Sequence, residues 1–380
     1  MARFPRRARI GAGIALATTA ALALSACTAA SDAPAAGDTD AATATSVADF
    51  GTFADLEAAA KAEGALNVIA LPRDWANYGE IIDLFTEKYP EITVNEASPD
   101  VSSAEEIQAA ETNKGLDTAP DVFDLGIAVA LQNTDVFAPY KVQTWDEIPD
   151  NLKESTGLYV GDYGGYMSIG YDSSKYPAPK TLDDLLGADY KGAVALNGDP
   201  TQAGAAFAAV GLATVQSGGT LDDFQPGIDF FSEMQKAGNL LKVDATSATI
   251  ASGETPVVFD WDYLNGAHAN AETGNKNWKV VVFPGTGYSS YYNQAINKDA
   301  PNPAAARLWQ EFLYSDEVQN LWLKGGARPA RVDAMTEAGT IDADLLAKLP
   351  AAPEETVLPT EKQSAAAGDL LGEKWAAAVQ

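Results

Sequence analysis

The chain has 380 residues, with 53 Asp and Glu against 25 Lys and Arg, and a formal net charge of −28. That balance excludes nucleic-acid binding, which needs clustered Lys and Arg against phosphates; the acid reads as solubility in a salty exterior or as a bias toward cationic ligands. A single cysteine excludes an internal disulfide, and a single histidine, His268, leaves Ser-His-Asp, Cys-His and multi-histidine metal chemistry short of parts unless His268 is the base.

The first residues carry Arg3, Arg6, Arg7 and Arg9, then an Ala-rich apolar stretch from Ile10 to Ala23. This is the layout of a secretory signal, and it is shorter than the ~20 apolar residues of a spanning helix. Leu24-Ser25-Ala26-Cys27 resembles the lipobox of bacterial lipoproteins, which implies cleavage, acylation of Cys27 and a place at the extracellular face of the cell membrane, held by lipid. The Arg6-Arg7 pair leaves twin-arginine and general secretory export both open. Residues 28–46 lack large apolar side chains and read as a flexible tether. The remaining chain is too long for one small core, so two lobes are expected.

The folded part opens with a helix over 53–63, ended by Gly64, and a strand from Leu66 to Leu71. After the loop Pro72-Arg73-Asp74-Trp75 comes an amphipathic helix with Tyr78, Ile81, Ile82, Phe85 and Tyr89 on one face. Ile92–Asn95 completes a strand–helix–strand unit, a right-handed parallel crossover. Asp121–Gly126 is a third strand whose polar exit makes Asp124 a ligand candidate. Residues 158–172, glycine-rich and aromatic, read as extended chain between lobes. Thr181 caps a short helix before Leu186. A strand at Ala193–Leu196 exits into Asn197–Gln202, and a helix of small residues follows from Ala203 to Gln216. Further elements are a helix at 228–237, a strand at Pro256–Phe259, a strand at Trp278–Phe283 and extended chain at 291–299. Pro303 opens a helix through Tyr314, Ser315 caps another, and a tail helix spans Ala365–Val379.

Three segments carry a family resemblance. Pro179-Lys180-Thr181-Leu182-Asp183-Asp184-Leu185 with Tyr190-Lys191-Gly192-Ala193-Val194 is similar to "P-x-T-W-x-D-L … Y-K-G-K-V", with Leu182 in place of Trp. Asn297–Ala306 with Glu311–Gln319 is similar to "K-x-A-x-N-P-E-A-A … F-L-x-S-x-E-x-Q". The third segment is the opening strand–loop–helix. The chain thereby resembles the extracellular solute-binding proteins of ABC importers, in the type II class that includes iron, polyamine, thiamine and phosphonate binders. The resemblance implies an α/β, two-lobed type II periplasmic-binding-protein fold with a hinge between lobes. It places lobe I at 47–162 and 294–348 and lobe II at 163–293 and 349–380. It also implies no catalysis, no cofactor, a monomer, and delivery of a small solute to an ABC permease and its ATPase.

Ligands in open α/β sheets sit at the carboxyl ends of strands, which selects four clusters. Asp260-Trp261-Asp262-Tyr263 suits an ammonium through charge-assisted hydrogen bonds and cation–π contact. Strand alternation puts Asp260 and Asp262 on one side and Trp261 on the other, so either the strand has ended there or one acid caps a helix and Trp261 is core. Arg73-Asp74-Trp75 offers a stacking ring and an anion clamp, or only a solvated surface pair. Asp199, Thr201 and Gln202 precede a helix start that favours an anion, unless Asp199 simply caps it. Tyr163, Tyr291 and Tyr292 lie near the crossovers, as packing or as contact. In ferric relatives a tyrosine pair holds iron where this chain has Trp261 and Asp262; Tyr291 and Tyr292 are a reserve pair. The leading expectation is a cationic or zwitterionic amine such as a polyamine. The alternatives are a phosphonate or phosphate compound, ferric iron, or a secreted hydrolase using Asp260 and Asp262. His268 reads as a surface or helix-start residue.

Overall fold

The computed structural model describes residues 40–270, 274–350 and 352–380. The signal at 1–27, Cys27 and most of the tether lie outside the described residues. The end of the expected tether is docked: Asp40–Phe50 makes two short 3-10 turns, Ala41–Thr43 and Val47–Phe50. Arg307, buried in the helix Pro303–Leu313, donates to the carbonyls of Ala42 at 2.9 Å and Ala44 at 2.7 Å. A buried guanidinium needs acceptors, and this stretch of backbone supplies them. The described residues, from Asp40 onward, form one compact unit.

Eleven strands are present among the described residues: β1 (Ala65–Ile69), β2 (Thr93–Ala97), β3 (Val122–Leu125), β4 (Phe137–Ala138), β5 (Val160–Asp172), β6 (Val194–Leu196), β7 (Val257–Trp261), β8 (Trp278–Val281), β9 (Thr286–Asn297), β10 (Arg328–Pro329) and β11 (Glu355–Val357). The opening unit is as its periodicity predicts. The helix Phe53–Glu63 starts on a Thr52–Asp55 capping box and stops at Gly64, whose φ of 74° suits glycine. The helix Tyr78–Lys88 buries Tyr78, Ile81, Ile82 and Phe85, and β1 pairs parallel with β2. Thr181 and Asp184 likewise form a capping box, here on the 3-10 turn Leu182–Leu186.

β5 and β9 organise the rest. At 13 and 12 residues each spans roughly 40 Å, so both serve the two halves of the molecule. They pair antiparallel; β3 and β4 add to β9 at one end, β10 pairs with β5 there, and β7 and β8 flank β5 at the other end. β6 adds parallel to β7, and β11 parallel to β9. The β5–β9 register shifts between Gly161 and Gly164, a bulge that takes Asp162 and Tyr163 out of the ladder. Gly164 is required by the crossing: a Cβ there would lie 2.3 Å from the Ser290 carbonyl oxygen.

Two elements differ from the sequence reading in ways that matter. β7 runs on through Trp261, and a helix, Asp262–Asn270, starts at the next residue. The helix Ser103–Thr112 was not foreseen; its only large apolar residue is Ile107, so no periodicity shows. Among the described residues no helix is long and apolar enough to cross a membrane.

The helix Gly204–Gln216 is buried along nearly its whole length and packs against β9 through small residues. A Cβ on Gly211 would meet the Tyr288 ring at 2.2 Å. Gly211→Ala is therefore expected to destabilise the protein by about 1–3 kcal/mol through overpacking, outweighing alanine's helix preference. Thermal denaturation should show a melting point lower by a few degrees.

Candidate functional site

A cavity of about 510 Å³ opens where the exits of β1, β3 and β6 and the end of β7 face one another, with Tyr292 of β9 also on its wall. Among the described residues its lining holds eight carboxylates (Asp74, Asp100, Glu105, Glu106, Asp124, Asp199, Asp244 and Asp260), one histidine, His268, and no Lys or Arg. Five of the acids are exposed and solvated. Glu106, Asp124 and Asp260 are 1, 5 and 2% exposed, and these three decide the chemistry of the walls.

On one wall, β3 carries Asp124 and the helix Ser103–Thr112 carries Glu106. Glu106 Oε2 accepts the backbone N–H of Asp124 at 3.0 Å. Asp124 Oδ2 accepts the Tyr163 hydroxyl at 2.7 Å, and Tyr163 in turn accepts the Trp75 indole N–H at 2.8 Å. The Gln294 amide bridges Asp124 at 3.3 Å and the fully buried Asp162 at 2.9 Å. Burial pushes Asp124 up to about 7, against the hydroxyls of Tyr163 and Tyr78, which lower it. Burial, then the nearby Asp124 charge, drives Glu106 well above the carboxylate range, and the same two causes act on Asp162. On the facing wall Asp260 accepts from Asn197 Nδ2 at 3.0 Å and from the Trp261 backbone N–H at 2.8 Å. Burial lifts it to about 7.

Aromatic rings close the end of the cavity. Trp75 stands edge-on to Tyr292 at 5.6 Å, and Tyr292 stacks on Tyr163 at 5.6 Å and 8°. Trp261 lies parallel to Tyr263 at 6.4 Å. The Ser247 hydroxyl donates to Asp74 at 2.8 Å, linking the loop after β1 to the helix Ser247–Ser252. Gly126 and Gly204 meet so closely that a Cβ on Gly126 would lie 2.9 Å from the Gly204 Cα.

The structure thus brings together Asp74, Trp75, Asp124, Asp199, Gln202, Asp260 and Tyr292 around the cavity, with Tyr163 directly behind. Arg73 is elsewhere: it pairs with Asp83 and with Glu96 at 2.7 Å, neither on the cavity. Asp262 is also diverted. Because the strand ends at Trp261, Asp262 turns away from Asp260 and forms an ion pair with Arg328 at 2.9 Å. Paired-carboxylate hydrolysis loses its geometry there. Thr201, Trp261 and Tyr291 line a separate cavity of about 310 Å³, while Trp261 and Tyr263 are buried against other rings. Tyr292 lines both cavities, whereas its neighbour Tyr291 lines only the second, so the acidic cavity holds one tyrosine of the reserve pair. Asp199 does not cap the next helix. Its carboxylate accepts from the backbone and hydroxyl of Thr201, and the N-cap is Ala203, without a side-chain cap. His268 is half-buried on the cavity wall rather than at the surface, and burial lowers it. Sequence reasoning missed Glu106, Asn197 and Asp244; no motif marks them.

A family model described as bacterial extracellular solute-binding protein matches residues 118–347. A comparison with curated proteins gave no match. Among solved structures, the periplasmic binding protein AfuA from Actinobacillus pleuropneumoniae, with fructose-6-phosphate bound, superposes with a TM-score of 0.65 at 19% identity, over 83% of this chain and 98% of that one. The ferric binding protein from Campylobacter jejuni gives 0.62 at 16%, over 82% and 99%. A protein described as a GABA receptor gives 0.61 at 18%, over 83% and 97%. Identities this low speak for the fold, the two-lobed type II architecture.

Two outcomes follow from the geometry. Arg73→Met should cost no more than about 1 kcal/mol, as for exposed ion pairs, and leave the acidic cavity intact by ligand titration. The second concerns pH. Asp124 and Asp260, each pushed up to about 7 by burial, bind protons more tightly folded than unfolded, so each withdraws stability as pH rises from its unfolded value near 4 through about 7, and the raised Glu106 and Asp162 act in the same direction. The loss is at most about 1.4 kcal/mol per pH unit for each of Asp124 and Asp260. The melting point of the ligand-free protein should therefore fall by several degrees between about pH 5 and pH 8.

Proposed function

The chain belongs to the bacterial extracellular solute-binding proteins, and from that membership we propose that its cavity captures a small cationic amine of the diamine or polyamine kind. As a member it is the solute-binding component of an ABC importer and not an enzyme; its partners are a small molecule and a membrane permease. The observation that carries the cationic reading is the lining itself, three buried carboxylates on facing walls with no Lys or Arg among them. An ammonium between Asp260 and the Glu106–Asp124 pair would gain charge-assisted hydrogen bonds, and Trp75 and Tyr292 offer π faces for its methylenes or its charge.

Several further parts of the reading rest on sequence resemblance. Cleavage before Cys27 and its acylation would hold the protein at the outer face of the cell membrane. The lobes would divide at 47–162 with 294–348 and at 163–293 with 349–380, β5 and β9 crossing between them. The protein would act as a monomer.

A second reading has one specific observation in its favour. The helix Gly204–Gln216 starts at the cavity with no side-chain cap, so its first N–H groups are available to an anionic group. A zwitterion, with its ammonium at the acids and its anion at this helix, is that reading; a phosphonate compound would use the same end.

Thermal shift on the chain from Asp38 onward tests both. Putrescine or spermidine at ~100 times its dissociation constant should add about 2.7 kcal/mol and raise the melting point by a few degrees. Asp260→Asn should weaken that binding at least about tenfold, the loss of one charge-assisted hydrogen bond. A shift with 2-aminoethylphosphonate and none with the diamines would replace the first reading by the second. A shift with ferric citrate alone would overturn both.

A further inference from the structure

The buried acids on the β3 side raise a question of charge balance that cation binding by itself does not answer. Glu106 is 1% exposed, and its single hydrogen bond comes from the Asp124 backbone N–H. Asp124 is 5% exposed and Asp162 is fully buried beside it, the two joined through the Gln294 amide. The groups facing them are the hydroxyls of Tyr78 and Tyr163, the Tyr292 ring and, across the cavity, Asp260 beside Asn197 and His268, which burial biases toward its neutral form. None of these is a cation. Three carboxylates so placed cannot all be ionised in an empty cavity, because desolvation and mutual repulsion both disfavour it.

Resting on the reading of a cationic solute, we propose that the empty cavity stores a proton on the Glu106–Asp124 pair and exchanges it for the solute's ammonium. The bookkeeping is simple. The carboxylic acid gives its proton to a water or buffer base, the carboxylate left behind accepts hydrogen bonds from the ammonium, and the ammonium keeps its own protons. Charge in the buried wall is the same before and after, so the solute enters without adding net charge to a low-dielectric region. Capture is then a one-for-one ion exchange, tighter at neutral than at acid pH, and an acidified exterior would release the solute with no change in its concentration. Asp162 lies behind the pair and off the cavity lining.

Calorimetry on the chain from Asp38 onward with putrescine reads the proton directly. In PIPES and in ACES at the same pH, near 6.5, the binding enthalpies should differ by about the difference between the two buffers' ionisation enthalpies, the mark of about one proton released. The dissociation constant should fall by close to tenfold per pH unit between about 5.5 and 6.5 and level off near 7.5. Glu106→Gln is isosteric and leaves the wall one titrating group short; it should remove most of the proton release and flatten the pH profile, and Asp124→Asn should act in the same direction. Equal enthalpies in the two buffers with a pH-independent dissociation constant would overturn the exchange while leaving the cationic reading intact. A proton count that vanishes in His268→Gln and persists in Glu106→Gln would assign the proton to the histidine and overturn it too. Absence of putrescine binding at every pH, with 2-aminoethylphosphonate bound instead, would remove the reading on which the exchange stands.

Discussion

Burying a carboxylate away from water and from any cation costs several kcal/mol, and this chain does so repeatedly around one junction. Glu106, Asp124 and Asp162 crowd together where β3, β5 and β9 meet, and Asp260 faces them from β7. Much of the local architecture exists to make that arrangement tolerable. The β5 bulge frees Tyr163 to donate to Asp124, and Gln294 spans two acids with one amide. Trp75 completes the relay by donating to Tyr163, which ties the first ligand-facing loop to the strand core. Stability is given up at neutral pH so that the walls stay electronegative.

The long strands decide which acids are free. Asp262 follows Asp260 by two residues, yet it is spent on Arg328, whose guanidinium also lies 4.1 Å over the Tyr166 ring. That pair keeps the Arg328 guanidinium off the cavity lining. Arg73, at the mouth by sequence, is drawn outward by Asp83 and Glu96. Basic side chains are thus removed from the site by local acids of their own, and the cavity's sign follows from what has been subtracted as much as from what is present.

The fold is shared with structures of 16 to 19% identity whose described ligands differ widely: a sugar phosphate, ferric iron, GABA. Such breadth is what strand-exit loops on a common two-lobed frame permit. The chemistry of this cavity therefore has to be read from its own side chains, and the uncapped helix start at Gly204 is the one feature on its wall that points to an anion.

Local patterning was legible from the residues alone. The 3.6-residue period of Tyr78, Ile81, Ile82 and Phe85, the stop at Gly64, the Thr181 cap and the β1–helix–β2 crossover all stand as read, because each depends on neighbours within one turn or one unit. The family resemblance supplied the two-lobed fold. The site was half legible: Asp74, Trp75, Asp124, Asp199, Gln202, Asp260 and Tyr292 reach the cavity because strand ends dictate it. Glu106 was invisible, sitting on a helix with one large apolar residue, and so was the docking of Ala42 and Ala44 onto Arg307. The fate of Arg73 turned on Asp83 and Glu96, and that of Asp262 on Arg328 and on where a strand ends to within one residue. The amino-acid sequence by itself determined the elements, their order and the acidic character of the chain, since those follow from local period and composition. Only the tertiary structure decided which carboxylates are buried without a counter-charge, because burial and pairing depend on groups that meet through space after the chain has folded.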